Sequence, residues 1–581
     1  MSLLYGNIFW NQKQNPDDYS PILQTATHSP MVELPLQNAI FFAEKDAAFR
    51  QYPITVLLDG WLYNKSEVLK RLQRADCTDA QCAYHAWQAW GMDSVKFLDG
   101  SFTLCVWDEK KQTVHLACDR TGSKTLYYYH TPKGIAFCNQ MQFLRHTPGF
   151  AAQMDEAQLM HLFGFSPALL PGQTVLKNVF ALRNAQIVTV QQNLLEKEQY
   201  WQLKYTGITN VINDVAADVR YLLKKNVERA VGAFENVQFF LSGGIDSTAL
   251  AALGKQKLGG VSTWSVEYDG NDEYFTGGDY QPEPDADYVC LASAHLKSAH
   301  TQIVLQHEEL EEYLFEAMLQ RGFPGMADVD SSLLCFTKQI PARNLIGGEC
   351  ADELFGGYPW FYREIDNTYL PWGGSMDLRQ SVMHPQLRNK LPLGAYVTAQ
   401  IEQLASETPQ NTELNERDNT LQQLYYLCLQ LFMPVLVTRN NTMPQYSGTN
   451  VLSPFCDASL MNYAFNIPWE MKFLYGREKG ILRKAVSDLV PTQILTRKKS
   501  PFPKTYHPQF TAQMQRHLQH ILQNKNSLLH DVCDADVLAA LAQNPAAVTR
   551  PWFGQLMTGP QLMGYFIQLH GWLHAFNVNL A

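Results

Sequence analysis

The sequence lacks the long apolar runs and the cationic excess that mark several classes of protein. None of its 581 residues falls in an uninterrupted apolar stretch approaching the roughly 18 residues that a membrane span needs. Lys and Arg number 46 against 56 Asp and Glu, and the formal net charge of −10 argues against nucleic-acid binding as the main activity. No basic stretch followed by an apolar core opens the chain, so we expect a cytoplasmic protein without a signal peptide.

Cysteine is also sparse, and its placement completes no zinc-binding pattern. The 11 cysteines are scattered, and no second pair or histidine cluster accompanies the close pair Cys77 and Cys82. Position 2 is serine, and the first cysteine in the chain is Cys77. We therefore expect buried, reduced thiols.

The pattern of apolar segments predicts two domains, at residues 1–205 and 206–581. In the first, short apolar segments separated by turn residues predict a layered β-structure. These segments lie at 54–58, 102–107, 113–118 and 185–190. In the second, helical patterns alternate with short apolar strands before a mostly helical part that starts near residue 380, which predicts a parallel α/β sheet. Those strands lie at 237–241, 261–266 and 344–346.

The most informative motif is Ser-Gly-Gly-Ile-Asp-Ser at 242–247, between the apolar run 237–241 and a helical pattern. A strand, a glycine turn and a helix aim backbone N–H groups at an anion. Ser242 and Ser247 add hydroxyl groups, and Asp246 is a ligand type suited to Mg²⁺. The motif is not a Walker A loop, because no Gly-Lys-Ser/Thr ends it. It resembles the pyrophosphate loop of the N-type ATP pyrophosphatases, which form acyl-adenylates.

An acidic motif at 347–358 follows the third of these strands. Three carboxylates in five residues are costly unless they are solvated, paired or bound to metal. Asp352 is a candidate second Mg²⁺ ligand opposite Asp246, and Glu349 is a candidate proton acceptor for an attacking amine. The alternative is a solvated acidic helix start, which the helix dipole favours.

A basic segment, Arg-Lys-Lys-Ser-Pro-Phe-Pro-Lys at 497–504, supplies cations. An isolated basic run is usually a solvated face. Phosphoryl chemistry, however, needs cations near the α-phosphate and the leaving pyrophosphate. One of these lysines is therefore a candidate for stabilising the transition state.

Together these motifs resemble the class B, glutamine-dependent asparagine synthetases, especially their Gram-positive branch. The matching segments are 242–247, 324–333, 348–360, 453–457, 467–472, 476–484, 497–505 and 552–558. The resemblance implies an α/β fold class: an Ntn-hydrolase-like αββα amino-terminal domain, then an N-type ATP pyrophosphatase domain with a helical carboxyl-terminal part. It also implies ATP and Mg²⁺ as cofactors.

The resemblance assigns roles to individual positions. It implies that Lys499, rather than Lys498, faces the α-phosphate and that Glu349 accepts the proton. Asp246 and Asp352 match the Mg²⁺ ligands. The positions that match nucleotide-binding residues are Leu241, Ser242, Gly243, Gly244, Asp246, Ser247, Val266 and Gly348.

The first 205 residues resemble the family's glutaminase domain, but its active-site pattern is eroded. The segment 58–64 is similar to Phe-Asn-Gly-Glu-Ile-Tyr-Asn, with Asp59 in place of the first asparagine. The active enzyme uses an amino-terminal cysteine, where this chain has Ser2. The Arg-Leu-Ser-Ile glutamine-binding segment has no match around 41–50. We expect an inactive domain; an amino-terminal serine nucleophile is the alternative.

The sequence thus predicts an ATP-dependent, AMP-forming amide ligase that uses ammonia or another amine rather than glutamine. Its partners would be a small carboxylate, aspartate or an analogue, and that amine, with no nucleic acid or membrane; a homodimer is possible. The alternatives are a specialised synthetase like those for β-lactams or lasso peptides, amidation of a cell-wall precursor, and a non-catalytic binding relative. The β-lactam relatives place tyrosine where this chain has Glu349, which favours ordinary amide formation.

Overall fold

We analysed a computed structural model of the chain. It describes residues 3–10, 19, 31–36, 38–277, 282–362 and 370–580. Ser2 therefore lies outside the described residues.

The amino-terminal part contains two antiparallel sheets, each with six strands among the described residues. In spatial order, the first sheet contains Val179–Ala181, Tyr127–Thr131, Gly134–Cys138, Leu4–Phe9, Ala39–Glu44 and Met31–Pro35. The second contains Leu194–Gln199, Gln186–Gln191, Thr113–Cys118, Gly100–Asp108, Ile54–Leu62 and Ala48–Gln51. The described helices of this part are Lys65–Arg71, Asp79–Trp90, Ser94–Phe97 and Glu156–Phe165.

Alternation along the strands explains how these layers stack. In the strand Ile54–Leu62, Leu57 packs into the core between the two sheets, whereas Val56 and Leu58 pack beneath the helix Asp79–Trp90. Successive side chains of a strand point to opposite faces, so burial on both faces requires the continuous apolar run seen in the sequence. The outer face of the first sheet packs into a core shared with the helix Glu156–Phe165 and the second domain. The order helix, sheet, sheet, helix confirms the αββα prediction.

The carboxyl-terminal part is built on a parallel sheet with five strands in the described chain. In spatial order these are Ala299–Leu305, Ser262–Tyr268, Gln238–Phe240, Asn344–Ile346 and Asn450–Leu452. The last of them lies inside the part predicted to be mostly helical. Three residues are too few to show a strand pattern, and only the register with Asn344–Ile346 makes them one. The edge strand Ala299–Leu305 was missed because only Ile303 and Leu305 of it are buried, which leaves no long apolar run.

The described helices of this part cover both faces of the sheet and form most of the remainder. They are Ile212–Ala233, Ile245–Leu258, Asn271–Tyr274, Ala286–Leu296, His307–Glu312, Leu314–Arg321, Asp328–Gln339, Ala351–Phe355, Met376–Ser381, Pro385–Lys390, Leu393–Ser406, Glu416–Leu427, Met433–Gln445, Ala458–Phe465, Trp469–Lys472, Gly480–Ala485, Thr492–Thr496, Pro508–Gln523, Leu529–Val532, Ala535–Gln543 and Gly559–Ala575. Residues Glu416–Gln445 form one continuous helical segment that is apolar and long enough to cross a membrane. However, 78% of its most apolar window is buried inside the protein. Burial of this kind is typical of a core helix.

The two parts are joined by a strand pair as well as by the chain. Gln153–Met154 pairs in parallel with Asn579–Leu580 near the carboxyl terminus. The last strand of the second sheet ends at Gln199, and the helix Ile212–Ala233 opens the next part. The predicted domain division at residue 205 lies between these elements and stays a prediction.

Candidate active site

The glycine loop 242–247 connects the central strand Gln238–Phe240 to the helix Ile245–Leu258. Gly243 has a φ of +68°, and a Cβ there would lie 2.6 Å from the backbone carbonyl carbon of Tyr288, so the turn requires glycine. The backbone N–H of Ser242 donates to Ser247 Oγ at 3.1 Å, and the two hydroxyl oxygens are also 3.1 Å apart. The loop thus presents two hydroxyl groups at a helix N-terminus, an arrangement suited to phosphate.

The acidic loop lies beside the glycine loop. The strand Asn344–Ile346 pairs in parallel with the central strand Gln238–Phe240, so both loops begin at the carboxyl ends of adjacent strands. Gly348 brings the loops into contact, since a Cβ there would lie 3.2 Å from the Cβ of Asp246. The loop then enters the helix Ala351–Phe355, whose first turn carries Asp352. Two motifs separated by a hundred residues of sequence therefore form one site.

A buried lysine joins the two predicted metal ligands. Lys479 Nζ lies 2.5 Å from Asp246 Oδ2 and 2.7 Å from Asp352 Oδ1. Lys499 Nζ lies 3.3 Å from the other oxygen of Asp352. Burial acts to raise the pKa of both carboxyl groups, but in Asp352 the two ammonium groups outweigh it and lower the pKa. Asp246 keeps a raised pKa because burial outweighs its contact with Lys479.

The carboxylates fit Mg²⁺ to different degrees. Carboxylate oxygens are the hard ligands that Mg²⁺ prefers. Asp246 Oδ1 is buried and accepts no hydrogen bond from the described residues, so it remains available to a cation. Both oxygens of Asp352 already face lysines. The residues therefore fit the metal, with Asp246 the better placed ligand, and both assignments stay predictions.

The basic segment supplies the opposite wall. Lys499 is held by its backbone N–H, which donates to Glu478 Oε1 at 3.0 Å, and by its Nζ, which donates to the Ser500 carbonyl at 3.0 Å. Lys499 lines the main cleft, whereas Lys498 lines only a smaller pocket beside it. This placement is consistent with Lys499 as the lysine nearer the α-phosphate.

Glu349 points to a different set of partners. Its Oε1 lies 3.6 Å from the guanidinium of Arg439, and its Oε2 accepts a hydrogen bond from Asn440 Nδ2 at 3.3 Å. Burial raises the pKa of Glu349, and Arg439 partly opposes this shift. A raised pKa brings a carboxylate closer to the range in which it accepts protons efficiently near neutral pH.

These groups border an open cleft with about 1260 Å³ of empty space. All predicted site residues except Gly243 and Gly244 line it, and Gly244 lines the smaller pocket. Leu241 and Val266 form an apolar wall with Leu333 and Phe336, which suits a planar base.

The sequence analysis missed several residues of this site. Lys479 lies in the segment 476–484, which carried the resemblance but received no role. Arg497 forms an ion pair with Asp285, and its guanidinium lies 4.0 Å from the ring centroid of Tyr288. Arg439 and Asn440 lie on a helix without a motif that indicated them.

The amino-terminal part contains no comparable arrangement at Asp59. This carboxylate is buried, accepts a hydrogen bond from Asn139 at 2.9 Å and lies 3.6 Å from Lys124 Nζ. Trp61 holds the position of the glutamate in the resembling segment, and its ring centroid is 5.1 Å from the same ammonium. These contacts satisfy Asp59 within the protein.

Comparison with known proteins agrees with this geometry. The Asparagine synthase family model matches residues 218–574, and the Glutamine amidotransferase domain model matches residues 48–201. The chain is similar to Asparagine synthetase [glutamine-hydrolyzing] 3 of Bacillus subtilis, with 35% identity over 90% of this chain and 88% of the relative.

More distant relatives differ in their named activities. Putative asparagine synthetase [glutamine-hydrolyzing] 2 of Methanocaldococcus jannaschii is 22% identical over 57% of this chain and 64% of its own length. Amidase chry2 of Gibberella zeae is 23% identical over 78% of both chains. From the extent of the match and the identity to the Bacillus relative, the chain belongs to the asparagine synthase family of ATP-dependent, AMP-forming carbon–nitrogen ligases.

Proposed function

We propose that this ligase takes its nitrogen from free ammonia or another amine rather than from glutamine. The observation that carries the proposal is that the Asp59 carboxylate is already bonded within the protein. A carboxylate replaces the amide of the family's Asn-Gly pair and is engaged by Lys124 and Asn139 beneath Trp61. A buried ion pair of this kind is costly to separate, so these side chains are held away from substrate binding.

The amidotransferase match gives further support. It begins at residue 48 and omits the first strand, next to which the family's nucleophile would lie. Serine stands at position 2, and no cysteine precedes Cys77. In this proposal the domain is retained for packing against the ligase domain.

The proposed reaction has two steps. A carboxylate oxygen of the acyl substrate attacks the α-phosphorus of ATP, and pyrophosphate leaves. The nitrogen nucleophile then attacks the acyl carbon, AMP leaves, and Glu349 accepts a proton. Lys499 stabilises charge on the phosphorus in the first step, and the Ser242–Ser247 hydroxyl pair binds phosphate oxygens. Asp246 and Asp352 would hold Mg²⁺, which supplies charge neutralisation on the pyrophosphate when bound.

Aspartate is the first acyl substrate to consider, because a relative with 35% identity over 90% of this chain is named as an asparagine synthetase. The second candidate is a specialised synthetase whose amine is larger than ammonia. Serine at position 2, where the family has its cysteine, favours this candidate, and a pocket lies between the two domains. We call this the interdomain pocket; Asp99 and Ser123 line it from one domain, and Asn440 and Asp457 from the other.

The test measures pyrophosphate release by the purified protein with MgATP and aspartate. Turnover with ammonium and not with glutamine is expected. Ser2→Ala should leave the ammonium-dependent rate unchanged. Glutamine-supported turnover that Ser2→Ala removes would contradict the proposal, and no turnover with either nitrogen source would exclude aspartate and favour the specialised synthetase.

The cellular setting follows from the same proposal. We expect a cytoplasmic enzyme of small-molecule substrates without nucleic-acid or membrane partners, and a homodimer remains a prediction. Sedimentation at micromolar concentration measures the oligomeric state directly.

A further inference from the structure

The side chain of Asn440 is buried next to the proposed proton acceptor. It lies on the helix Met433–Gln445 and is only 2% exposed. Its Nδ2 donates to Glu349 Oε2 at 3.3 Å and to Ser453 Oγ at 3.2 Å. The amide therefore orients the Glu349 carboxylate through a group that only donates.

The oxygen of the same amide has no hydrogen-bond donor among the described residues. Asn440 Oδ1 is buried and accepts no hydrogen bond from any residue that the structure describes. Buried polar atoms are nearly always paired, and an unpaired one in a native protein points to water, an ion or a ligand. Oδ1 is an acceptor, so a hydrogen-bonding ligand there donates an N–H or O–H to it.

Asn440 also lies in the wall between two cavities. It lines the interdomain pocket, whereas its partner Glu349 lines the open cleft beside the glycine and acidic loops. Gly347 keeps this wall thin, because a Cβ there would lie 2.5 Å from Glu349 Oε2 and 3.5 Å from Asn440 Nδ2. Asn440 and Glu349 thus form part of the boundary between the two cavities.

We propose that Asn440 Oδ1 accepts a hydrogen bond from the nitrogen nucleophile and holds it beside Glu349. This inference rests on the proposed function, which supplies the acyl-adenylate. Ammonia and primary amines carry N–H groups that satisfy both acceptors, while their lone pair stays free. The lone pair forms the C–N bond, the C–O bond to AMP breaks with its electrons leaving on AMP, and one N–H proton passes to Glu349.

The test uses Asn440→Leu, which keeps the approximate shape of the side chain and removes both polar atoms. ATP–pyrophosphate exchange with aspartate reports adenylation alone, and amide formation against ammonium concentration reports nitrogen binding. We expect the KM for ammonium to rise at least tenfold while exchange stays within twofold of wild type. Retained exchange also shows that the variant folds.

Asn450→Ala is the matched control. Asn450 Nδ2 donates a hydrogen bond to Asn344 Oδ1 at 3.1 Å. Both residues begin their paired strands, so they lie at the end of the sheet opposite to the site. It should leave both activities unchanged. Asn440→Ser, which keeps a short polar group, should raise the ammonium KM less than Asn440→Leu.

Three outcomes distinguish the nitrogen-binding inference from the proposed function. An unchanged ammonium KM in Asn440→Leu refutes the nitrogen site and leaves the proposed function intact. A parallel loss of exchange and amide formation also refutes it, because the residue would then support the whole site. A wild-type protein without exchange on aspartate or any of a panel of amino and dicarboxylic acids refutes the proposed function, and the inference with it.

Discussion

Replacing Lys479 with methionine tests whether its ammonium group holds the active site together. The side chain is buried, and its Nζ lies 2.5 Å from Asp246 Oδ2 and 2.7 Å from Asp352 Oδ1. Removing one partner of a buried ion pair typically costs about 3–5 kcal/mol, because the remaining charge is uncompensated. Lys499 stays 3.3 Å from Asp352, so we expect the lower end, about 3 kcal/mol.

Lys472→Met is a matched control for which the expected change in the free energy of unfolding has the opposite sign. Lys472 is 0% exposed, and its Nζ has no hydrogen-bond partner among the described residues. It lies 3.8 Å from the ring centroid of Tyr425, and burial lowers its pKa well below the usual value. Methionine has a similar length and no polar atom. The substitution should stabilise the protein by about 1 kcal/mol, because it removes an unpaired buried amine.

Urea unfolding at pH 7, followed by circular dichroism, compares both variants with wild type. The Lys479→Met transition should move to lower urea concentration, and the Lys472→Met transition should move to higher urea concentration. Equal losses in both variants would refute the reasoning, because the cost would then come from removing any buried lysine rather than from the carboxylates that Lys479 pairs.

Two further predictions concern the carboxylates of the active site and the control residue Lys472. Asp246→Ala should abolish ATP–pyrophosphate exchange because it removes a candidate metal ligand, whereas Glu349→Gln should keep exchange and slow amide formation about 100-fold; equal loss of both activities in Glu349→Gln would contradict its role as proton acceptor. Between the lowered folded pKa of Lys472 and its usual value of about 10.4, the unfolded state binds a proton that the folded state does not, so this group makes stability rise with pH. The gain in urea midpoint between pH 7 and 9.5 should therefore be smaller in Lys472→Met, and an identical gain would show that Lys472 is charged in the folded protein.

Local pattern predicted much of the fold. The segments 54–58 and 113–118 lie in the strands Ile54–Leu62 and Thr113–Cys118, and the helical pattern after the glycine loop became Ile245–Leu258. Burial on both faces produced apolar runs that were easy to recognise. The strand Asn450–Leu452 produced no such run, because its three residues are defined by pairing with a distant neighbour.

The sequence by itself determined the motifs from which the chemistry is predicted: a glycine loop with two hydroxyls, an acidic loop with Glu349 and Asp352, and a basic segment with Lys499. Each is a local motif whose spacing has a physical meaning. Only the tertiary structure decided that Lys479 bridges two carboxylates and that Asn440, 91 residues from Glu349, bonds it. Hydrogen bonds and buried ion pairs act over a few ångströms, and sequence spacing reports such proximity only within a turn of helix or across adjacent residues of a strand.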